Sequence, residues 1–204
     1  MFLSLDGLDG SGKSTQLLRL AERLRAAGRT VTTCVDPGGT DLGAKVRDIL
    51  LFGRQTQMSL RAEALLFMAS RAELVERVIA PALARGDIVL SDRYLLANVV
   101  YQGHAGGLDP AELWQLGVFS TNGIEPGLTL ILDLPVAVAR SRQSPTRDRM
   151  ESRDDWYFQR VRDGFLMEAK RRPELHRVID ATADADSVQE AVLCAVDEYL
   201  KSAT

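Results

Sequence analysis

Gly7-Leu8-Asp9-Gly10-Ser11-Gly12-Lys13-Ser14 fits the pattern G-x-x-x-x-G-K-[ST]. That spacing suits one task, the holding of a polyphosphate. Glycines let backbone N–H groups turn inward onto phosphate oxygens, and a helix starting at the lysine adds its positive dipole end. The lysine ammonium reaches the β and γ oxygens, and the following hydroxyl suits Mg²⁺. Gly7, Gly10, Ser11, Gly12, Lys13, Ser14 and Thr15 are therefore expected to cradle a nucleoside triphosphate.

A carboxylate at the end of a neighbouring strand would complete the metal site. Ile88-Val89-Leu90-Ser91-Asp92 supplies one, and Arg93 beside it adds an anion-binding group. Asp133, after Leu128–Leu132, competes with Asp92, although a strand-end Asp can also cap the next helix. Asp92 is preferred because of Arg93. A second concentration of charge lies further on. Of 25 basic residues 21 are Arg, and Arg140, Arg142, Arg147, Arg149 and Arg153 crowd into fourteen positions. A flap over about 140–153, closing on a polyanion and excluding water, fits that cluster. A solvated, salt-bridged surface is its duller alternative.

These residues need a scaffold. Short, near-continuously apolar runs at 1–5, 30–35, 88–91, 128–133 and 177–180 read as strands buried on both faces. Between them lie helical patterns at about 13–27, 42–51, 60–85, 94–102, 110–122, 136–142, 154–171 and 186–201. Pro81 should kink the third or end it early, and the glycines of 103–107 suggest a loop. Strand–helix alternation predicts an α/β fold, a five-stranded parallel sheet flanked by helices in three layers, in one domain over 1–204.

Composition narrows the functional class. The 204 residues carry a net charge of −3, so no extended nucleic-acid partner is expected. No apolar run is long enough to span a membrane, and the opening MFLSLDGLDG has no basic, long-cored export signal. Two cysteines and two histidines make neither a disulfide framework nor a histidine zinc site, and suit a reducing cytoplasm.

Taken together and in order, the motifs resemble those of bacterial thymidylate kinases, within the P-loop nucleoside monophosphate kinases. The resemblance rests on Asp9–Gln16, Asp36-Pro37-Gly38-Gly39-Thr40, Arg47, Leu66-Phe67 with Ser70-Arg71, Asp92-Arg93-Tyr94, Tyr101-Gln102-Gly103 and Asp148-Arg149-Met150-Glu151. It implies transfer of a phosphoryl group from ATP, with Mg²⁺ held at Ser14 and Asp92, to dTMP, in a cytoplasmic homodimer. Phe67 would stack on thymine, Arg71 would donate to O4, and Asn98 and Gln102 would read the base edge. Tyr101 would pack against C2′, Asp9 would hold the 3′-hydroxyl, and Arg47 and Arg93 would bind the 5′-phosphate near Pro37. The phosphate loop contains no Arg, so the catalytic charge would come from the flap, from Arg149 first and Arg147 second. Arg142 would pack against adenine.

Some positions depart from the pattern. The family often has Glu where this chain has Asp6 and Asp36, Ser where it has Ala97, and Arg where it has Val35. Two other classes remain open on sequence: a kinase of another nucleoside or nucleotide, and a regulatory P-loop protein. The pairing of Arg47 with Arg93 speaks for an acceptor that already carries a phosphate.

Overall fold

The computed structural model describes residues 1–53, 57–143, 149–150 and 153–202. Five strands form one sheet in the order β2-β3-β1-β4-β5: β1 Phe2–Gly7, β2 Val31–Val35, β3 Ile88–Asp92, β4 Leu128–Asp133 and β5 His176–Asp180. Every pairing is parallel, with Leu5 opposite Asp92 and Gly7 opposite Leu132. The C-terminal ends of all the strands therefore share one edge, where an open α/β sheet binds its ligand. β1 lies in the middle of the sheet and is buried throughout, because helices cover both of its faces.

The helices are α1 Lys13–Ala26, α2 Asp41–Phe52, α3 Leu60–Leu74, α4 Ala80–Ala84, α5 Leu95–Asn98, α6 Pro110–Thr121, α7 Val136–Ser141, α8 Asp155–Arg171 and α9 Ala185–Ser202. Two stretches differ from the sequence expectation. Pro81 does not end its helix; a π-helical turn at Val75–Ile79 joins α3 to α4, and the proline falls in the first turn of α4. There its missing N–H leaves little unmet, and the wider turn before it gives the ring room. The expected loop over 103–107 is shorter than read, because a π-helix runs over Val99–Ala105 and takes in Gly103, while Gly106 and Gly107 (φ 97°) follow its end. An added Cβ at Gly103 would meet Leu113 at 3.1 Å, so this glycine serves close packing against α6, whereas one at Gly106 would first meet the Gln102 carbonyl oxygen at 2.6 Å.

Candidate active site

The phosphate loop joins β1 to α1 and its geometry is that of a cup. Gly7, Gly10 and Gly12 have φ of 136°, 87° and 91°, in the region open to glycine. Gly10 is also needed for space, since a Cβ there would lie 2.4 Å from the Ala139 carbonyl oxygen. Gly12 caps α1 without a side chain, so the first-turn N–H groups of the helix have no side-chain acceptor. Lys13 Nζ donates to the carbonyls of Leu8 (2.9 Å) and Gly7 (3.3 Å), across the cup.

Ser14 Oγ donates to Asp92 Oδ2 at 2.6 Å, so hydroxyl and carboxylate meet at the mouth of the loop. Asp133 is taken up elsewhere. Arg162 binds both of its oxygens at 2.7 and 2.8 Å, and the N-cap of α7 is Pro135, so Asp133 is engaged by an arginine and does not cap that helix. Asp6, the last side chain of β1 before Gly7, is buried with both carboxylate oxygens lacking a hydrogen-bond partner among the described residues. Burial pushes its pKa up to about 7, against the pull of Arg93 and Lys13. The touching Ser14 hydroxyl and Asp92 carboxylate form an all-oxygen pair suited to a hard cation. No group of three His, Cys, Asp or Glu stands together among the described residues. That arrangement suits Mg²⁺ completed by phosphate oxygens and water.

One cavity of about 380 Å³ runs from this loop to α2, α3 and α5, lined by Lys13, Ser14 and Thr15 at one end and by Arg47, Phe67 and Gln102 at the other. Arg93 stands between the two ends. Its backbone has φ 66°, and its guanidinium donates to the Gly7 carbonyl (3.0 Å), Asp9 Oδ1 (2.6 Å) and the Tyr101 hydroxyl (3.2 Å). Although burial opposes it, Arg93 and Lys13 hold the Asp9 carboxyl at about 2. Arg47 donates to the Pro37 carbonyl at 2.8 Å and lines the cavity with it. Phe67 is half-buried and presents to the cavity as well as to the core.

Arg71 is no solvated helix charge: it is 1% exposed. Its Nε donates to Asp36 Oδ2 at 2.5 Å and one terminal nitrogen to Asn98 Oδ1 at 3.1 Å. The shorter carboxylate at position 36 thus still reaches its cation. Asn98 Nδ2 donates to Gln102 Oε1 at 2.7 Å, and Gln102 Nε2 donates to Glu63 Oε1 at 2.8 Å. Sequence reasoning missed Glu63. The available signal was its place four and eight residues before Phe67 and Arg71, on one helix face.

A family model described as thymidylate kinase matches residues 5–192. The chain belongs to the thymidylate kinase family. It is 48% identical over 190 residues to the thymidylate kinase of Rhodopirellula baltica, covering 93% of this chain and 77% of that one. To the thymidylate kinase of Deinococcus radiodurans it is 43% identical over 200 residues, 97% of each chain. The crystal structure of thymidylate kinase from Ehrlichia chaffeensis superposes with a TM-score of 0.81 at 31% identity, covering 97% of this chain and 98% of that one. As a thymidylate kinase the chain is a nucleoside monophosphate kinase, with ATP and Mg²⁺ serving the phosphorylation of dTMP to dTDP.

Arg149 does not line the cavity. Its N–H groups meet the Leu50 carbonyl (2.7 Å) on α2, Glu63 (2.8 Å) on α3 and the sulfur of neighbouring Met150, and none of these contacts is with the phosphate loop. The buried Glu63 carboxylate requires cationic partners, and Arg149 with Arg153 (3.0 Å) supplies them. Arg147 lies outside the described residues. Arg142 reaches across to the carbonyls of Ala181 (2.9 Å) and Thr182 (3.1 Å), on the loop after β5. Gly7 and Ser11, in the same loop, do not line the cavity. Two flap residues that the sequence did not single out do line it: Gln143, which donates to the Asp9 carbonyl at 3.0 Å, and buried Met150.

Proposed function

We propose that the two ends of the cavity divide the reaction, the phosphate loop taking ATP and the α2–α3–α5 end taking dTMP. The observation that carries this is the position of Arg93, bonded at once to the loop carbonyl of Gly7 and to Tyr101 on the acceptor side. A group so placed binds the attacking 5′-phosphate and shields its charge from the donor phosphates. Lys13 stabilises charge on the β and γ oxygens, and Gly10, Gly12 and Thr15 surround them. Ser14 and Asp92 would hold Mg²⁺, directly or through water, and the bound ion would supply charge neutralisation to the phosphates.

On the acceptor side, Phe67 stacks on the base and Arg71, Asn98 and Gln102 face its edge. Tyr101 packs against C2′, Asp9 holds the 3′-hydroxyl, and Arg47 joins Arg93 on the 5′-phosphate beside Pro37. Arg142 and the loop after β5 flank adenine. Flap charge during transfer falls to Arg147, while Arg149 seats the flap. The whole chain acts as one domain with its flap over about 140–153. It works as a homodimer in the cytoplasm; apolar Leu116 and Phe119 (88% exposed), one turn apart on α6, and Leu65 on adjoining α3 support a second copy at that face. The two free cysteines suit a reducing compartment. Light scattering should give twice the chain mass, and a monomer would remove the dimer.

An ADP-release assay with ATP and Mg²⁺ tests the assignment, offering dTMP, dUMP, dCMP, dGMP, AMP, UMP and thymidine separately. Strong turnover is expected with dTMP. Turnover only with another acceptor would discard the roles of Phe67, Arg71 and Gln102.

A further inference from the structure

We infer that Glu63 is a positioning residue that sets which hydrogen-bonding atoms Gln102 and Asn98 show to the acceptor base, and that it seats the flap through the same carboxylate. The inference deepens the proposed acceptor site and rests on Gln102 lying at the base edge.

The argument begins with direction. An amide side chain can be turned over, exchanging donor for acceptor at little cost, unless its neighbours forbid it. Here both ends of the chain of contacts are fixed by charge. Glu63 only accepts, so Gln102 must offer it Nε2 (2.8 Å) and turn Oε1 toward Asn98. Arg71 only donates, so Asn98 must offer it Oδ1 (3.1 Å) and turn Nδ2 toward Gln102 (2.7 Å). An acceptor at one end and a donor at the other therefore impose the same sense on both amides. With Glu63 absent, the orientation of Gln102 is guarded only through Asn98. A base edge showing donor and acceptor in thymine's order then loses its advantage over cytosine, whose order is reversed.

The second part comes from what else Glu63 binds. It is 1% exposed, and its oxygens also accept from Arg149 and Arg153 at 2.8 to 3.1 Å. The Arg149 backbone N–H donates to the Leu51 carbonyl (2.9 Å), and Arg153 stacks its guanidinium 4.3 Å from the Tyr157 ring centre. Tyr157 in turn donates its hydroxyl to the Tyr101 carbonyl at 2.7 Å. One carboxylate thus joins the flap to the base edge, and no other described acidic side chain bonds both Gln102 and a flap arginine.

The test is a double-mutant cycle on the full-length protein, reading kcat and KM for dTMP and the ratio of kcat/KM for dTMP over dCMP. Glu63→Ala should raise the dTMP KM and lower that ratio, each at least about tenfold, as expected when a buried donor loses a charged acceptor. Glu63→Gln, which still offers Gln102 a carbonyl oxygen, should restore the ratio to within about threefold of the parent while leaving Arg149 and Arg153 without their charge partner. In a Gln102→Ala background, Glu63→Ala should lower the ratio no further. A loss that multiplies undiminished onto Gln102→Ala overturns the inference, as does Glu63→Ala with an unaltered ratio. Should Glu63→Ala not fold, Glu63→Met carries the same arms. If Gln102→Ala itself leaves KM and ratio unchanged, it is the base-edge role of Gln102 that fails, and the inference falls with it.

Discussion

Ser14 and Asp92 stand 78 residues apart in sequence and 2.6 Å apart in space. The parallel pairing of β1 with β3 creates that contact, because both chains reach the same sheet edge as the glycine loop begins. Asp92→Asn keeps the shape and removes the charge. It should lower kcat at least about 100-fold and raise the Mg²⁺ concentration for half-maximal rate. A Mg²⁺ titration of initial rates checks it, and an unmoved half-saturation point would transfer the metal role away from Asp92.

Lys13 spans the phosphate loop, donating to two of its carbonyls, and is the ammonium expected to meet the phosphates. Lys13→Ala should lower kcat at least about 1,000-fold while leaving the dTMP dissociation constant near the parent value. Rates and dTMP calorimetry measured side by side decide this.

The ion pair between Arg71 and Asp36 is buried on both sides. Removing one partner leaves an uncompensated charge, so Arg71→Ala should lose about 3–5 kcal/mol of unfolding free energy. Asp36→Asn with Arg71→Gln together should lose less than the sum of the two single changes. Urea unfolding of Arg71→Ala, the two single changes and the double variant tests it; simple additivity would mean the pair does not act as one.

Tyr101 carries its ring 5.0 Å from the Arg93 guanidinium carbon, and its hydroxyl meets the same group. If ring bulk excludes a 2′-hydroxyl, Tyr101→Phe keeps the preference for deoxyribonucleotides and Tyr101→Ala relaxes it. Comparing kcat/KM for dTMP with that for ribothymidine monophosphate reads this out. An unchanged preference in Tyr101→Ala removes the residue from sugar selection.

Asp6 makes stability depend on pH in an unusual direction for a carboxyl. Its folded pKa, about 7, lies above the ordinary 3.8, so the folded state holds the proton more tightly. The resulting stabilisation is complete below 3.8 and is lost as pH rises toward 7. Asp6→Asn should therefore raise the Tm of the nucleotide-free protein at pH 8 more than at pH 5. Thermal scans at the two pH values test the sign.

Much of the scaffold could be read in advance, because buried parallel strands are short apolar runs and their ends fall where polar or glycine residues begin. The strands β2 to β5 agree with expectation to within a residue, whereas β1 runs on through Asp6 and Gly7. Polarity hid that extension: an unpaired carboxylate inside a central strand reads as a loop. Gly103 was misleading for the opposite reason, since its cause is the proximity of Leu113 rather than a turn. The phosphate loop and the Ser14–Asp92 pair were legible because their chemistry dictates residue type and spacing. The Arg162 partner of Asp133 and the Glu63 partners of the flap were not, as such pairings depend on which helices happen to meet.

Gly12 begins α1 with no side chain to receive the helix's first N–H groups. The nucleotide is thus a structural component as well as a reactant, the cap that the polypeptide omits. By linkage, unfolding free energy should climb with the logarithm of free ATP once its concentration passes the dissociation constant. Polyanions without a base would give a weaker version of the same rise. As free ATP falls while still above its dissociation constant, the protein should lose stability before its saturated rate declines.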